Sequence, residues 1–432
     1  MRTRLGTGLL LIVTFALLSL FPARLIVPGL TDVGRPATVV GMLLFVWWVL
    51  TRLNPHLVQV GPQPIRWVVL FFFVVVLIGY AVGSLRGLTT VESNSADRWL
   101  LLDAAFLGLI LVAADGIPNW GQLRAVLRAF IWCCGFIALV GLIQYATFTD
   151  VTQYLIVPGL QEKGWVPDLT GRGDGLRVAS TTGHYIEFGT LMAMALPVAV
   201  CFLRLAKTRN EKLRMGLLTL VIGAGIPTTV SRTAIVAAGM VFIFMMLVWD
   251  WRTRWNMLVL GIGAIAAAVA AKPELMRTLV EMFTQAGQDT SISSRTDRYD
   301  MVAEYFVERP WLGRGTGTWV SPMYQYLDNQ WFSTALTNGL AGVAAMLALH
   351  AVAAWMAYKA LRRAATQADR ELCAALLSIQ FVALFAAFTF DSLSFTTYSS
   401  MLAILIGFCG TVWRLTHPRR AVRTAGVLQQ GQ

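Results

Sequence analysis

The sequence predicts an all-α polytopic membrane protein of about 12 transmembrane helices, and three observations carry that expectation. Hydrophobic residues make up 56% of the 432-residue chain and charged residues only 13%, about half the charged share of a soluble domain. Apolar runs recur at close to the ~20 residues a helix needs to cross a bilayer. They are continuously apolar rather than alternating at period two, which argues against strands. Finally, the charge is sorted by side. With the N-terminus placed inside, the inner segments carry 21 Lys/Arg and 5 Asp/Glu, and the outer segments 14 and 18. This positive-inside pattern places both termini in the cytoplasm.

Taken in order, the candidate spans lie near 5–22, 37–51, 66–83, 99–114, 125–147, 182–203, 213–230, 232–249, 255–271, 330–356, 371–389 and 395–413. The first follows Arg2 and Arg4, as a signal peptide would. Pro22, Ala23 and Arg24 stand where a small-x-small cleavage site belongs, so a retained helix is expected. Arg204, Lys207, Arg209, Lys212 and Arg214 fill one inner loop, and Lys359, Arg362, Arg363 and Arg370 another. The net charge of +12 is therefore topological, and no nucleic acid is implied. All five cysteines fall inside spans, as packing residues, with neither a loop disulfide nor metal-ligand spacing.

Residues 1–432 read as a single membrane domain with two long outer segments, about 148–182 and 272–329. Segments of that length are uncommon unless functional. The second has helical content of its own. Lys272-Pro273-Glu274 opens an amphipathic stretch with Leu275, Met276, Leu279, Val280 and Phe283 on one side. A second helix is expected from Ser294, with Asp297 in capping-box spacing, to Glu308, ending before Pro310. On a helical wheel its acids Asp297, Asp300, Glu304 and Glu308 oppose Met301, Val302, Tyr305 and Phe306. Arg295 and Arg298 fall in the apolar arc, and guanidiniums facing protein need an anion. That anion is either a loop carboxylate or lipid headgroup, or a phosphate-bearing ligand. Gly313, Gly315 and Gly317 then mark a tight turn, with no preceding strand to make a nucleotide fingerprint.

Three segments resemble the O-antigen ligase and polymerase superfamily of bacterial membrane glycosyltransferases. They are Thr228-Thr229-Val230-Ser231-Arg232-Thr233-Ala234; Ser294-Arg295 with Glu308-Arg309-Pro310-Trp311-Leu312-Gly313-Arg314-Gly315; and Asp328-Asn329-Gln330-Trp331-Phe332 with Asn338-Gly339-Leu340-Ala341-Gly342. The resemblance in architecture runs along the whole chain. It implies a glycosyltransferase-C-like enzyme of the bacterial inner membrane that moves a glycan from a polyprenyl-pyrophosphate carrier to a glycan or glycolipid acceptor. By position, Arg232 and Arg295 match the family's pyrophosphate-binding arginines. Asp328 stands where ligases carry a histidine, a departure that leans towards polymerase.

The residues can perform such chemistry. Arg232 at the outer N-terminus of a helix suits a bound anion, the alternative being an interfacial contact with lipid phosphate. Preorganised arginines would stabilise the negative charge developing on a pyrophosphate leaving group, and no metal or other cofactor is expected. Asp328 is either a general base for the acceptor hydroxyl or an N-cap of the following helix. His184 and Glu187, three residues apart, offer an alternative base with its orienting carboxylate, or a structural pair. Arg172, Arg177, Arg298 and Arg314, with Asp168 and Asp174, are candidate substrate contacts or solvated charges. Trp331, like Trp165, Trp311 and Trp319, either stacks on sugar or sits at the lipid interface. The rival from another class is a lipid-glycan flippase. Asp103 and Glu187 lie near span ends, which argues against ion coupling at the midplane.

Overall fold

The computed structural model describes residues 6–53, 62–163, 170–172, 175–284, 298–321 and 323–418. Each of the twelve expected spans is a helix: α1 (Thr7–Leu20), α2 (Pro36–Arg52), α3 (Pro64–Leu85), α4 (Thr90–Gly116), α5 (Trp120–Thr147), α6 (Tyr185–Leu205), α7 (Arg209–Gly225), α8 (Arg232–Val248) and α9 (Trp251–Ala271), then, after two loop helices, α12 (Gln330–Arg363), α13 (Gln367–Ala387) and α14 (Thr396–Thr416). The loop helices are α10 (Pro273–Thr284) and α11 (Arg298–Glu308). Among the described residues, eight helices are long and apolar enough to cross a membrane, and α1, α2 and α8 are shorter apolar helices. The chain is an all-α polytopic membrane protein.

The core is a bundle in which α6 packs on α5, α7, α8 and α13, and α4 is clasped between α2 and α14. Helix α4 starts at Thr90 rather than 99 because Thr89 and Glu92 form a reciprocal capping box. That extension puts Asp103 near the middle of a helix, correcting its expected place near a span end. Helix α9 is different: none of its most apolar stretch is buried, and its neighbour is α10.

The glycine turn and the start of α12 form one unit. Gly339 has φ +63°, so α12 breaks there. In an unbroken helix Leu340 and Ala341 would donate to Leu336 and Thr337. Instead their N–H groups donate to the carbonyls of Pro310 (2.8 Å) and Trp311 (3.1 Å). The freed carbonyls of Leu336 and Thr337 accept from Arg314 (2.8 Å) and Gly315 (2.9 Å). The loop thus inserts into the helix and re-satisfies these two donors and two acceptors, as backbone within a membrane bundle requires. A Cβ on Gly339 would lie 2.4 Å from the carbonyl carbon of Trp311, and one on Gly315 2.5 Å from Cα of Gly83. The turn is a structural wedge between α3, α4 and α12.

Short strands tie the loops over one end of the bundle. β1 (Leu25–Ile26) pairs antiparallel with β2 (Gln161–Glu162), and β3 (Thr170–Arg172) with β4 (Gly175–Arg177). Arg24 anchors the first pair through Glu162 (3.3 Å), Asp150 (3.8 Å) and the Thr152 carbonyl. At the opposite end, ion pairs join the helices: Arg66 to Asp115 (2.8 Å) and Arg204 to Glu371 (2.9 Å).

Candidate functional site

At the looped end a cavity of about 800 Å³ opens among the N-terminal ends of α6, α12 and α14, the middle of α3 and α4, and the loops. Its cationic lining is Arg24, Arg35, Arg98, Lys163 and Arg177; its acids are Asp103, Asp150, Glu187 and Asp391. Trp99, Trp319, Tyr185, Tyr326 and Phe395 supply ring faces, and Phe72, Val75 and Val76 an apolar wall.

His184 is the N-cap of α6, its Nδ1 accepting the N–H of Ile186 at 3.2 Å. That bond assigns the proton of the neutral ring to Nε2. Burial, with the charge of Arg177, holds its pKa down to about 4, against a smaller upward pull from Asp328. A neutral ring with Nε2–H is a hydrogen-bond donor rather than a base. Glu187 does not orient it, contrary to expectation. As the third residue of α6, Glu187 reaches back to the Gly183 N–H (2.6 Å) and across to the Tyr398 N–H (2.8 Å), so both oxygens are spent on backbone. Arg35, 6% exposed, feels the charge of Glu187 and donates to Thr397 at 2.9 Å, locking the ends of α2, α6 and α14 together.

Arg177 is the expected loop arginine that the structure brings to the cavity. It donates to the Tyr185 hydroxyl at 2.6 Å and stacks its guanidinium 4.5 Å from that ring. Arg172 lies on β3, opposite Gly175. Asp328 stands at the rim: Leu327 and Gln330 line the cavity, and its charge reaches His184 and Asp391. It is not the helix cap. Asn329 takes the N–H groups of Trp331 (2.9 Å) and Phe332 (3.3 Å), and Asp328, at φ +48°, turns its carboxylate to Arg298 at 2.7 Å. Arg298 therefore finds its anion in a loop carboxylate.

Three other expectations are corrected. Trp331 is 8% exposed and lies tilted against Phe388 with ring centres 5.4 Å apart, because a helix capped at Asn329 points its second residue into the core; the tryptophans on the cavity are Trp99 and Trp319. Arg314 reaches Tyr324 (2.9 Å) and Glu308 (3.5 Å) and lies over the Tyr305 ring, bracing α11 rather than lining the cavity. The apolar side of α10 is rotated: Leu275 and Met282 pack on Val230, while Val280 and Phe283 stay exposed. Arg232 opens α8 after a turn in which Val230 is left-handed (φ +46°) and Ser231 caps the helix. That turn touches β4 and α10, so Arg232 sits beside the strand that carries Arg177 without lining the cavity. Arg295, with Ser294, Asp297, Trp165, Asp168 and Asp174, lies outside the described residues.

Asp391 went unnoticed in the sequence. It precedes α14 and lines the cavity, its Oδ2 accepting from the Ser394 hydroxyl while its buried Oδ1 has no partner. Burial raises its pKa to about 6, opposed by the Ser394 bond and assisted by the charge of Asp328. A lone Asp between apolar spans gives no signal by composition; a second Asp near Asp328 in space does.

Residues 215–347 match the family model described as O-antigen ligase. The match spans the Thr228–Ala234 turn, the glycine wedge and the start of α12, and it supports the O-antigen ligase/polymerase superfamily. No curated protein matches the chain.

Proposed function

We propose that this chain, with its O-antigen ligase segment, transfers a glycan from a polyprenyl-pyrophosphate carrier to an acceptor glycan on the extracytoplasmic side of a bacterial inner membrane. One observation carries the reading: the cavity joins five cationic side chains, sugar-sized aromatic faces and an apolar wall at one end of a membrane bundle. Cations suit the pyrophosphate, rings suit pyranose faces, and the wall suits the prenyl chain. Arg177 would stabilise the leaving pyrophosphate as the glycosidic bond breaks, and Arg232, beside the strand that carries it, and Arg295 are proposed to assist by their match in sequence position to the family's arginines.

The acceptor hydroxyl attacks the anomeric carbon from the opposite face and inverts it, and a carboxylate takes the proton. Of the two acids near Arg298 and Ser394, Asp328 is held by Arg298, whereas Asp391 has an unpartnered Oδ1 and a pKa raised by burial to about 6. We assign the base to Asp391, with Asp328 tuning it through space. His184 then serves as a donor to the substrate through Nε2.

An aspartate at position 328 favours a polymerase over a ligase. The test is transfer by detergent-solubilised protein from a fluorescent undecaprenyl-pyrophosphate oligosaccharide. A ladder of products supports a polymerase, and a single addition to a glycolipid acceptor supports a ligase. Absence of any product, with lipid crossing the bilayer in proteoliposomes, would replace the enzyme with a flippase.

A further inference from the structure

Asp103 has no part in the reaction above, and among the described residues no hydrogen bond or ion pair satisfies its carboxyl. It is 8% exposed, on the wall shared by the main cavity and a side pocket of about 20 Å³. The lining of the side pocket is mixed: Thr38, Thr396, Ser399 and Ser400 join Asp103 on the polar side, with Trp99, Leu102, Phe106 and Leu393 on the apolar one. Thr38 is 1% exposed, and its hydroxyl also lacks a partner. Two unpartnered polar groups, each more than nine-tenths buried, thus face one small space beside the larger one.

Burying such groups unsatisfied is costly, and an ionisable residue inside a membrane bundle points to function. Size and charge narrow the ligand. The space holds about one water-sized group, too little for a phosphate, which the carboxyl would repel in any case. Trp99 adds the deciding feature. Four residues before Asp103 on α4, it shares that helix face and lines both spaces. Gly317 presses against it so closely that a Cβ there would lie 2.6 Å from its Cδ1, which fixes the ring. A cation can also lie over an indole face, but of the groups a glycan-transfer cavity takes, a sugar ring uses both features, its C–H face on the fixed indole and a hydroxyl at the carboxyl.

The geometry points to a sugar-recognition subsite in which Asp103 and Thr38 hydrogen-bond one hydroxyl of a pyranose ring stacked on Trp99. The inference rests on the glycan-transfer reading for the source of that sugar, which is either the donor or the acceptor.

The test uses full-length protein in nanodiscs and measures equilibrium affinity in two arms. The donor arm takes undecaprenyl pyrophosphate bearing glucose, galactose, mannose, N-acetylglucosamine or rhamnose, against the sugar-free lipid. The acceptor arm takes the corresponding methyl glycosides with the sugar-free lipid saturating. In one arm at least one sugar binds with a gain that Asp103→Asn and Thr38→Val each reduce by about tenfold or more, while affinity for the sugar-free lipid stays within twofold. The ligand-free melting temperature of Asp103→Asn is equal to or above wild type, an outcome a structural role would reverse. The subsite is overturned if no sugar in either arm adds affinity, or if the gain survives Asp103→Asn. Sugar binding that depends on Asp103 without transfer would instead retain the subsite and defeat the enzyme reading.

Discussion

Asp391 and His184 are displaced in opposite directions by the same burial beside the cavity. Asp391, with a folded pKa near 6 against an ordinary value of 3.8, stabilises the fold fully below pH 3.8 and loses that contribution as pH rises through 6. His184, near 4 against 6.5, contributes fully above pH 6.5 and loses it as pH falls through 4. At pH 7.5, therefore, Asp391→Asn keeps or raises the melting temperature while kcat/KM falls about a hundredfold or more. In wild type, kcat/KM rises with pH to a plateau through about 6, and the variant loses that limb. A pH–rate profile paired with thermal unfolding reads both effects. At this scale the sequence was partly legible. Arg177, His184 and Asp328 stood out because charged or imidazole groups in a long outer loop are conspicuous. Arg35, Arg98 and Asp391 did not, because each is a single charge beside an apolar run, and Asp103 stood out only as a charge near a span end; the packing of separate helices collects them.

At the scale of elements, the loop inserted at Gly339 is what fixes the rim of the cavity. It places Thr316 and Gly317 against the wall, with the Asn338 amide donating to Thr316 at 2.6 Å and Thr316 to the Val76 carbonyl at 2.9 Å. Gly339→Ala combines a left-handed φ with a clash against Trp311, and should destabilise by about 2–5 kcal/mol. Gly261→Ala on α9, whose Cβ would meet nothing within 4 Å, should be neutral or slightly stabilising. Denaturation of the two variants side by side checks the contrast. Both motif segments were visible in the sequence, but their union was not. It is made by four backbone hydrogen bonds, which leave no trace in side-chain pattern beyond the glycines. The same limit applies at Asp328, where one more residue of loop hands the cap to Asn329 and frees the carboxylate for Arg298.

For the whole molecule, hydropathy located every helix of the bundle, because lipid-exposed and buried faces are both apolar. Helix ends were less legible: polar first turns such as Thr90–Asp97 extend α4 beyond the apolar run that marked it. The sorted charge predicts the orientation. A cysteine placed at exposed Tyr326 should react with a membrane-impermeant maleimide in intact cells, and one at Arg370 only after permeabilisation. Four of the native thiols are buried and Cys133 is half-buried, so the background should be low.

On the proposed function, the cavity is where a glycan changes hands. The most direct measurement is the single-turnover rate of transfer from an undecaprenyl-pyrophosphate glycan for wild type, Arg177→Ala, Arg232→Ala and Asp391→Asn, with Arg314→Lys as a control outside the cavity. Losses of about a hundredfold or more are expected in the first three variants, with near wild-type rates in the control. Transfer that persists in Arg177→Ala and Asp391→Asn, with folded protein in each, would contradict the proposed function.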